Sequence, residues 1–500
     1  MRNIKKKITL LNIISSIVTQ MVSIVSALII PRLILEIFGS NTNGLVSSIT
    51  QFLNYICLLE GGITGVVAAN LYKPLVNGDC KQLSSVLTTA RSFYQKIACI
   101  FIGYSIIVGL VYPRIVDTGY TDWYVFALTI VLSIGLIMEY MFSLTLTTLL
   151  NADKKVYVVS ISASILTIIN IFLTLFVVRV YPDVFLLKLT STCLFAIKPL
   201  IYGIYVRRKY NIDWRAEKDS SLLKQRWDGF AVNLAFFIHS STDITLLTLM
   251  TDLKTVSVYN VYFLVISKIS VVLHAITSGI EPTIGQAYAL NDEKKLNEKM
   301  DLYEFVILIS IGTTFLMTGL LITPFVMVYT HGITDANYYQ PIFGVILVLA
   351  EATYLLRAPH VSLAYTANKF KELTLPAYIE AIINIVISVV LIRRLGLIGI
   401  AIGTLAGMIY RGMFHVALTS KLVSSRLPKN YYKKILVFSV ACGLIAGICE
   451  LAFPIINYSV QSWLGHAIIY GTITVGVLGG TSLVFFKREL LIIKNYIKGK

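Results

Sequence analysis

Long apolar stretches recur along this chain, and short polar segments separate them. The first stretch runs from Ile8 to Pro31 and contains 24 residues without a charged side chain. A helix of that length spans about 36 Å at 1.5 Å per residue, which is enough to cross the hydrocarbon core of a bilayer. The pattern therefore predicts membrane-spanning helices from one end of the chain to the other, with no stretch left for a soluble domain.

Every apolar stretch, taken in the same way, predicts an all-α polytopic membrane protein with about fourteen transmembrane helices. Some of the stretches contain one internal charge, so their ends are set by the polar segments on either side. The predicted helices lie near 8–38, 44–72, 93–113, 123–150, 156–178, 184–206, 229–251, 255–288, 305–330, 338–366, 373–392, 395–419, 435–455 and 463–486.

The positions of Lys and Arg provide an independent check on this count. With a cytoplasmic N-terminus, 32 of the 43 Lys and Arg residues fall on the cytoplasmic side and 6 on the outer side. Cytoplasmic segments of membrane proteins carry such an excess of Lys and Arg. One helix more or less in mid-chain would invert every later loop and remove the asymmetry. We therefore predict fourteen spans with both termini in the cytoplasm.

Two basic polar segments divide the predicted helices into groups of six, six and two. The predicted domains are an N-lobe at 1–206, a cytoplasmic basic linker at 207–228, a C-lobe at 229–420, and accessory helices 13 and 14 with a cytoplasmic tail at 421–500. Because both groups of six are complete before Lys421, truncation there is expected to leave a folded twelve-helix core.

Composition agrees with a membrane location and narrows the function. The chain is 56% hydrophobic and only 14% charged, against about 25% charged residues in soluble proteins. The net charge of +17 marks a membrane side, so we expect no nucleic-acid partner. The sequence contains no phosphate-binding loop, no metal-ligand spacing and no long outer loop for catalytic groups. We therefore expect no enzyme activity, catalytic residue, cofactor or metal, which leaves a transporter, a channel or a scaffold.

Ionisable residues near the middle of predicted helices are the candidate functional groups. A charge at that depth costs roughly 2.5–3.5 kcal/mol on insertion scales, so it persists where it is paired or faces a water-filled cavity. Pairing between helices for packing alone remains the alternative for each residue. His239 and Asp243 share a helix face at a four-residue spacing, which suits either proton transfer or a structural hydrogen bond. The full set is Glu60, Glu139, Lys198, His239, Asp243, Lys268, Glu351, Arg357, Glu380 and Arg411.

Three segments carry a resemblance to a known family. They are the stretch Pro31–Gly39 with the sequence PRLILEIFG, the stretch 58–63 with LLEGGI, and the stretch from Asp243 to Tyr259. These segments resemble polysaccharide and oligosaccharide-lipid flippases of the O-antigen and capsule type. The superfamily of these flippases also contains multidrug and toxin extruders and lipid II flippases. The resemblance implies two six-helix lobes in a V shape, two extra C-terminal helices, and a cavity lined by helices 1, 2, 7 and 8.

The resemblance also implies a substrate and its partners. Flippases of this branch turn an undecaprenyl-diphosphate-linked oligosaccharide across the bacterial plasma membrane by alternating access. Membrane lipids, a coupling proton or sodium ion, a polysaccharide polymerase and glycosyltransferases are the expected partners. The expected substrate-binding residues are Arg32, Glu60, Lys198, Lys268, Arg357 and Arg411, and the expected ion-coupling residues are Asp243, His239 and Glu351.

Two alternatives remain open from the sequence. One is an ion-coupled drug exporter of the same fold, whose cationic substrates would need acidic groups and few cations in the cavity. The other is a membrane scaffold or enzyme of polysaccharide assembly, which would need no transport activity of its own.

Overall fold

A computed structural model describes residues 2–60, 62–219, 230–277 and 279–497. The regular structure of these residues is helical throughout. The chain divides into two compact units, the first formed by Met1–Phe237 with Thr251–Ser257 and the second by Ile238–Met250 with Val258–Lys500. The prediction of an all-α protein with two lobes is therefore confirmed.

Up to Phe237, the described residues of the first unit form nine α-helices and the beginning of a tenth. They are α1 (Arg2–Asn54), α2 (Cys57–Glu60), α3 (Ile63–Asn77), α4 (Cys80–Ile115), α5 (Asp122–Met138), α6 (Leu144–Ala152), α7 (Val156–Val180), α8 (Val184–Phe195), α9 (Lys198–Lys209) and the start of α10 (Phe230–Met250). A π-helical turn, Glu139–Ser143, joins α5 to α6.

Helix α11 (Leu253–Thr277) begins in the first unit and continues in the second. Most of the second unit follows α11 along the chain. Its helices are α12 (Glu281–Ala289), α13 (Glu293–Tyr329), α14 (Pro341–Leu356), α15 (Ala358–Thr366), α16 (Phe370–Leu395), α17 (Leu397–Leu422), α18 (Pro428–Ala452), α19 (Val460–Phe485) and α20 (Lys487–Ile497).

Each of the fourteen predicted segments corresponds to helix, but several ends differ. Helices α4 and α13 begin at Cys80 and Glu293, well before the predicted starts at 93 and 305. Charged residues end an apolar stretch without ending a helix, because a helix continues into water when its polar groups are solvated there. The predicted C-terminal tail contains helix α20. In the predicted linker, residues 207–209 extend α9, and residues 220–228 lie outside the described residues.

Within the described chain, twelve helical segments are long and apolar enough to cross a membrane. One of them, Lys7–Glu60, is interrupted at Gly39, whose backbone angles are φ 79° and ψ 174°. This conformation lies outside the helical region and suits glycine because it has no Cβ. The chain is a multi-pass membrane protein, while the exact number of spans and the side of each terminus stay predictions.

Outward-facing side chains of these helices are mainly aliphatic and aromatic. Examples are Ile107, Phe172, Leu436 and Val475, each 60–67% exposed in the isolated chain. A soluble protein rarely shows so much contiguous apolar surface, whereas lipid chains solvate it without penalty. The exposed surface therefore agrees with a bilayer location.

The last two long helices pack closely against α13. Phe305 and Leu308 of α13 form a buried apolar cluster with Phe438 and Ile445 of α18 and Leu478 of α19. The apolar side chains of α13 in this cluster are therefore covered by α18 and α19. The packing makes α18 and α19 part of the second unit.

A buried charge cluster also connects α13 to the C-terminal segment. The Glu304 carboxylate, on a side chain only 1% exposed, accepts hydrogen bonds from Arg426 and, at 3.0 Å, from Lys434. Asp301 lies 3.2 Å from Arg426 and 3.0 Å from Lys434, and Glu489 of α20 lies 3.3 Å from Lys434. The segment after residue 420 therefore supplies the cations that neutralise a buried carboxylate.

This cluster changes the outcome expected for truncation before Lys421. Removal of one member of a buried ion pair costs about 3–5 kcal/mol, because the remaining charge stays buried without a partner. We expect the truncated chain, and the Arg426→Met, Lys434→Met variant, to melt well below the intact protein in detergent. Addition of Glu304→Gln and Asp301→Asn to the double variant should restore part of the melting temperature.

The control is Lys429→Met, because Lys429 is exposed and lies in the same segment. It should leave the melting temperature unchanged. A truncated chain that melts at the temperature of the intact protein would support an accessory role for the last helices instead.

Candidate functional site

Three predicted substrate-binding residues, Arg32, Glu60 and Lys198, lie in the first unit. Arg32 is 27% exposed on α1, and its Nε lies 3.7 Å from the Glu36 carboxylate one turn further along the helix. At this distance and exposure the pair is a weak surface-type contact. The Arg32 side chain is therefore partly exposed, although its Nη1 atom is buried.

Glu60 lies at an interruption of the second predicted span. Helix α1 ends at Asn54, α2 contains only four residues and ends at Glu60, and α3 begins at Ile63 after Gly62, which has φ 83°. A left-handed glycine ends the helical hydrogen bonding, so the backbone changes direction beside the carboxylate. Broken helices in membranes require other polar groups or water nearby.

Hydroxyl groups hold the Glu60 carboxylate. Thr64 donates a short hydrogen bond to Oε1, and the Tyr140 hydroxyl donates to Oε2 at 3.3 Å. The Thr64 hydroxyl in turn lies 2.8 Å from the Tyr94 hydroxyl. Among the described residues, no Lys or Arg forms an ion pair with Glu60, so neutral groups alone stabilise the carboxylate.

The π-helical turn Glu139–Ser143 brings further charge to this region. π-Helical turns frequently occur at functional sites. Glu139 interacts electrostatically with Lys198 and with Glu60, which connects two predicted site residues through a third. The ammonium group of Lys198 also lies 4.5 Å from the centroid of the Phe195 ring. Glu60, Glu139 and Lys198 thus belong to one polar region of the first unit.

In the second unit, Asp243 is the centre of a buried hydrogen-bond network. Asp243 is only 3% exposed. Tyr259 donates a hydrogen bond to Oδ2 at 2.9 Å, and the Thr404 hydroxyl lies 3.1 Å from Oδ1 and 3.0 Å from Oδ2. The side chain of Asn384 donates to the same Thr404 hydroxyl at 3.2 Å. Residues from α10, α11, α16 and α17 therefore converge on one carboxylate.

Further oxygen atoms lie next to this network. The Ser388 hydroxyl lies 3.4 Å from the Asn384 amide oxygen and 3.5 Å from the Ile400 carbonyl oxygen. Good O–H···O hydrogen bonds are about 2.5–3.0 Å long, so these two contacts of Ser388 are weak. Carboxylate, hydroxyl, amide and carbonyl oxygens are the ligands of hard cations. One carboxylate among neutral oxygens matches a single positive charge.

Small residues allow α16 and α17 to approach closely at this point. Gly399, Gly403 and Gly407 follow each other at four-residue intervals on α17 and are buried or partly buried. A Cβ atom on Gly403 would lie 2.1 Å from the Ser388 hydroxyl and 2.8 Å from the Asn384 carbonyl oxygen. Stripes of small residues let membrane helices pack at short distance. Without this contact, the Asn384 amide nitrogen of α16 would not reach the Thr404 hydroxyl.

Arg411 lies further along α17, in a buried ion pair. Its Nη1 donates to the Glu380 carboxylate at 2.7 Å, and the two side chains are 5% and 6% exposed. The His415 ring contacts the Arg411 carbonyl oxygen at 2.7 Å. This cation is already neutralised, so its assignment to substrate binding stays a prediction that burial does not favour.

Lys268 and Arg357 differ from Arg411 both in their exposure and in their lack of an ion pair among the described residues. Both side chains are partly exposed, and neither forms an ion pair within the described part of the chain. Arg357 lies over the Tyr354 ring at 4.1 Å and donates to its carbonyl oxygen. Glu351 accepts a hydrogen bond from Ser270 at 2.8 Å. The His239 side chain lies outside the described ones, so its predicted interaction with Asp243 stays a prediction.

Comparison with known proteins agrees with this architecture. No protein-family model matches the sequence, and no curated protein matches it. Solved structures do match. The lipid II flippase MurJ in an inward closed conformation is 14% identical, with a TM-score of 0.73 over 96% of this chain and 100% of that one.

Multidrug transporters match over a smaller share of this chain. The MATE multidrug transporter DinF-BH is 15% identical, with a TM-score of 0.63 over 83% of this chain and 95% of that one. An inward-facing MATE family transporter of the MOP superfamily is 11% identical, with a TM-score of 0.57 over 84% of this chain and 100% of that one. This chain has their fold. The all-α, two-lobed fold implied by the flippase resemblance is thereby confirmed.

Asn384, Ser388 and Thr404 of the Asp243 network do not stand out in the sequence, because neutral polar residues carry no charge that marks them in an apolar helix. Glu380, Asn384 and Ser388 follow each other at four-residue spacing, which places them on one face of α16. The glycines of α17 show the same spacing. These two matching periods, in adjacent apolar stretches, are the sequence signal that would have identified the contact.

The glycine contact gives a prediction with a control on the same helix. Gly403→Ala should lower the melting temperature in detergent, because its Cβ would collide with Ser388 and with the α16 backbone. Gly412→Ala is the matched control, since a Cβ there meets no atom within 4 Å. Alanine in a helix interior is favoured over glycine by about 0.5–1 kcal/mol, so this control should be neutral or stabilising. Equal melting temperatures for the two variants would contradict the close helix contact.

Proposed function

We propose that this protein is a flippase that moves a polyprenyl-diphosphate-linked oligosaccharide across the plasma membrane by alternating access. The cargo serves assembly of a surface polysaccharide such as a capsule or exopolysaccharide. A polymerase and glycosyltransferases are its expected partners in that assembly, and the protein itself catalyses no covalent step.

The observation that carries this proposal is the extent of the fold match. The lipid II flippase aligns with 96% of this chain, including the region of α18 and α19, whereas the two multidrug transporters align with 83% and 84%. As its name states, a lipid II flippase acts on a lipid-linked substrate. A fold shared over nearly the whole chain supports a substrate of the same general class.

The charges of the second unit support a diphosphate headgroup as the recognised part. Lys268 and Arg357 are partly exposed cations without an ion-pair partner among the described residues. Phosphate oxygens accept charge-assisted hydrogen bonds from such groups, and guanidinium binds them in two-pronged geometry. A drug exporter with cationic substrates would be disfavoured by the same two residues.

Asp243 and its neighbours support coupling to a monovalent cation. The Tyr259 hydroxyl lies 2.9 Å from the Asp243 carboxylate and the Thr404 hydroxyl lies 3.0 Å from it, with the oxygens of Asn384, Ser388 and Ile400 beside this group. A sodium ion would use these oxygens as ligands, and a proton would bind the carboxylate alone. The described chain holds no cluster of three or more His, Cys, Asp and Glu residues suited to a divalent or transition metal.

The function is tested by the location of the lipid-linked oligosaccharide in cells. Deletion of the protein should make the substrate accumulate on the cytoplasmic face, where an impermeant oxidant of sugars does not reach it, and should remove the surface polysaccharide. Unchanged surface polysaccharide and unchanged substrate location would contradict the flippase proposal. Export of cationic dyes that is lost on deletion, without a change in the polysaccharide, would favour the drug exporter.

The role of Lys268 is tested by substitution in the same cells. Lys268→Ala should reduce surface polysaccharide at least tenfold while membrane insertion is retained, because the diphosphate loses a cation. Lys268→Arg should retain partial export, since the charge is kept. Lys254→Ala is the control, because Lys254 is an exposed lysine at the start of the same helix. Full export by Lys268→Ala would remove this residue from the binding site.

A further inference from the structure

An apolar groove lies on the first unit. One of its walls is the α5–α6 segment, which contains the π-helical turn, and the other wall is α9. Its volume is about 410 Å³, within the range of about 300–1,000 Å³ typical of small-molecule sites. The floor and walls are apolar, and two arginines and a tryptophan lie among the lining residues. The lining includes Met141, Phe142, Pro199, Leu200 and Gly203, together with Arg91, Arg207 and Trp214.

Three local features of the sequence open this groove. The π-helical turn Glu139–Ser143 shifts Met141 and Phe142 out of regular α-helical positions. On the other wall, the helix is broken between Phe195 and Lys198, and Pro199 lies in the first turn of the next helix. Gly203 has no side chain, and a Cβ there would approach only Leu146, at 4.0 Å. The space is therefore built into both helices.

One end of the groove is positively charged. Arg207 belongs to the basic end of α9, and Arg91 lies 5.0 Å from the centroid of the Trp214 ring. Within the described residues, neither arginine forms an ion pair with a carboxylate. The distribution of Lys and Arg assigns this end to the cytoplasmic side. Two guanidinium groups without a carboxylate partner in the described part of the chain, at the mouth of an apolar groove, favour an anion attached to an apolar chain.

We propose that this groove binds one anionic phospholipid of the cytoplasmic leaflet, separate from the transported substrate. The phosphate contacts Arg91 and Arg207, and an acyl chain lies along Leu200, Gly203, Phe142 and Met141. Basic sites between transmembrane helices on the cytoplasmic side bind anionic headgroups, because cations near an anionic leaflet attract them. The Trp214 ring is placed at headgroup level, where tryptophan is favoured.

A lipid fits these observations better than a protein partner. The groove is lined mainly by aliphatic and aromatic side chains, and its charged groups are the two arginines alone. A helix bound there would bring its own exposed side chains to the bilayer and would leave the two arginines without an anion. A phospholipid supplies the anion and the apolar chain in one molecule. The charge complementarity therefore decides between the two occupants.

The bound lipid also has a structural consequence. Both walls contain residues next to Glu139 and Lys198, which belong to the polar region around Glu60. An acyl chain in the groove fills the space behind the π-helical turn and the helix break, and so stabilises these two irregular segments. The groove thus connects leaflet composition to the geometry of that region.

The test uses the fluorescence of Trp214 in the full-length protein. The chain has four tryptophans, and Trp123, Trp227 and Trp463 are replaced by Phe to leave Trp214 alone. The variant is reconstituted in phosphatidylcholine vesicles for two titrations. One titration adds increasing fractions of phosphatidylglycerol brominated on one acyl chain, and the other adds phosphatidylcholine brominated in the same way. Half-maximal quenching by brominated phosphatidylglycerol should occur at a several-fold lower mole fraction than quenching by brominated phosphatidylcholine.

Matched variants assign this preference to the groove. Arg91→Gln with Arg207→Gln should shift the phosphatidylglycerol curve to the phosphatidylcholine curve, whereas Arg208→Gln, an exposed neighbour outside the groove, should not. Gly203→Leu should fill the groove and weaken quenching by both lipids. Gly103→Leu, where a side chain meets open space, is its control. Retained melting temperatures establish that the variants are folded.

Three results would overturn the proposal. The first is equal quenching by the two lipids in the parent protein, which indicates bulk lipid contact only. The second is an equal effect of Arg208→Gln and Arg207→Gln, which indicates general surface attraction. The third is displacement of the brominated lipid by undecaprenyl phosphate but not by unlabelled phosphatidylglycerol, which identifies the substrate carrier as the occupant.

Discussion

A buried carboxylate inside a membrane protein must find its partners within the protein, and Asp243 illustrates this constraint. Water does not reach the apolar interior to satisfy an isolated polar group, so an unpaired charge there is strongly unfavourable. Tyr259 and Thr404 supply hydroxyl groups, and Asn384 supports Thr404. The arrangement brings four helices to one point. It also places hydroxyl, amide and carbonyl oxygens next to the network, and oxygens of these kinds can ligate a hard cation.

This network depends on the close contact between α16 and α17. Gly403 allows the α17 backbone to approach Ser388 and the Asn384 carbonyl oxygen. The same interface contains the buried Arg411–Glu380 ion pair, one turn from Asn384. A buried pair of this kind is weak support for stability, but it fixes the register of two helices when both partners are present. We therefore interpret Arg411 as a structural neighbour of the Asp243 network.

Hydropathy alone predicted where helices occur, because lipid imposes a minimum apolar length. It did not predict the interruption at Glu60, since Tyr55 to Gly62 remain apolar enough to continue a span. It also missed the polar starts of α4 and α13, which lie beyond the apolar stretches. Candidate charges such as Asp243 and Lys268 stood out because ionisable residues are rare in such helices. Their partners did not, because Asn384, Ser388 and Thr404 are neutral residues that also occur in ordinary membrane helix packing.

The central claim is that a monovalent cation bound at Asp243 couples to movement of the lipid-linked substrate. The most direct measurement is flipping of a fluorescent polyprenyl-diphosphate oligosaccharide in proteoliposomes, with sodium and proton gradients imposed separately. The parent protein and Asp117→Asn, an exposed loop control, should flip faster with one of the two gradients. Asp243→Asn should respond to neither gradient. The same gradient response in Asp243→Asn as in the parent protein would contradict the account.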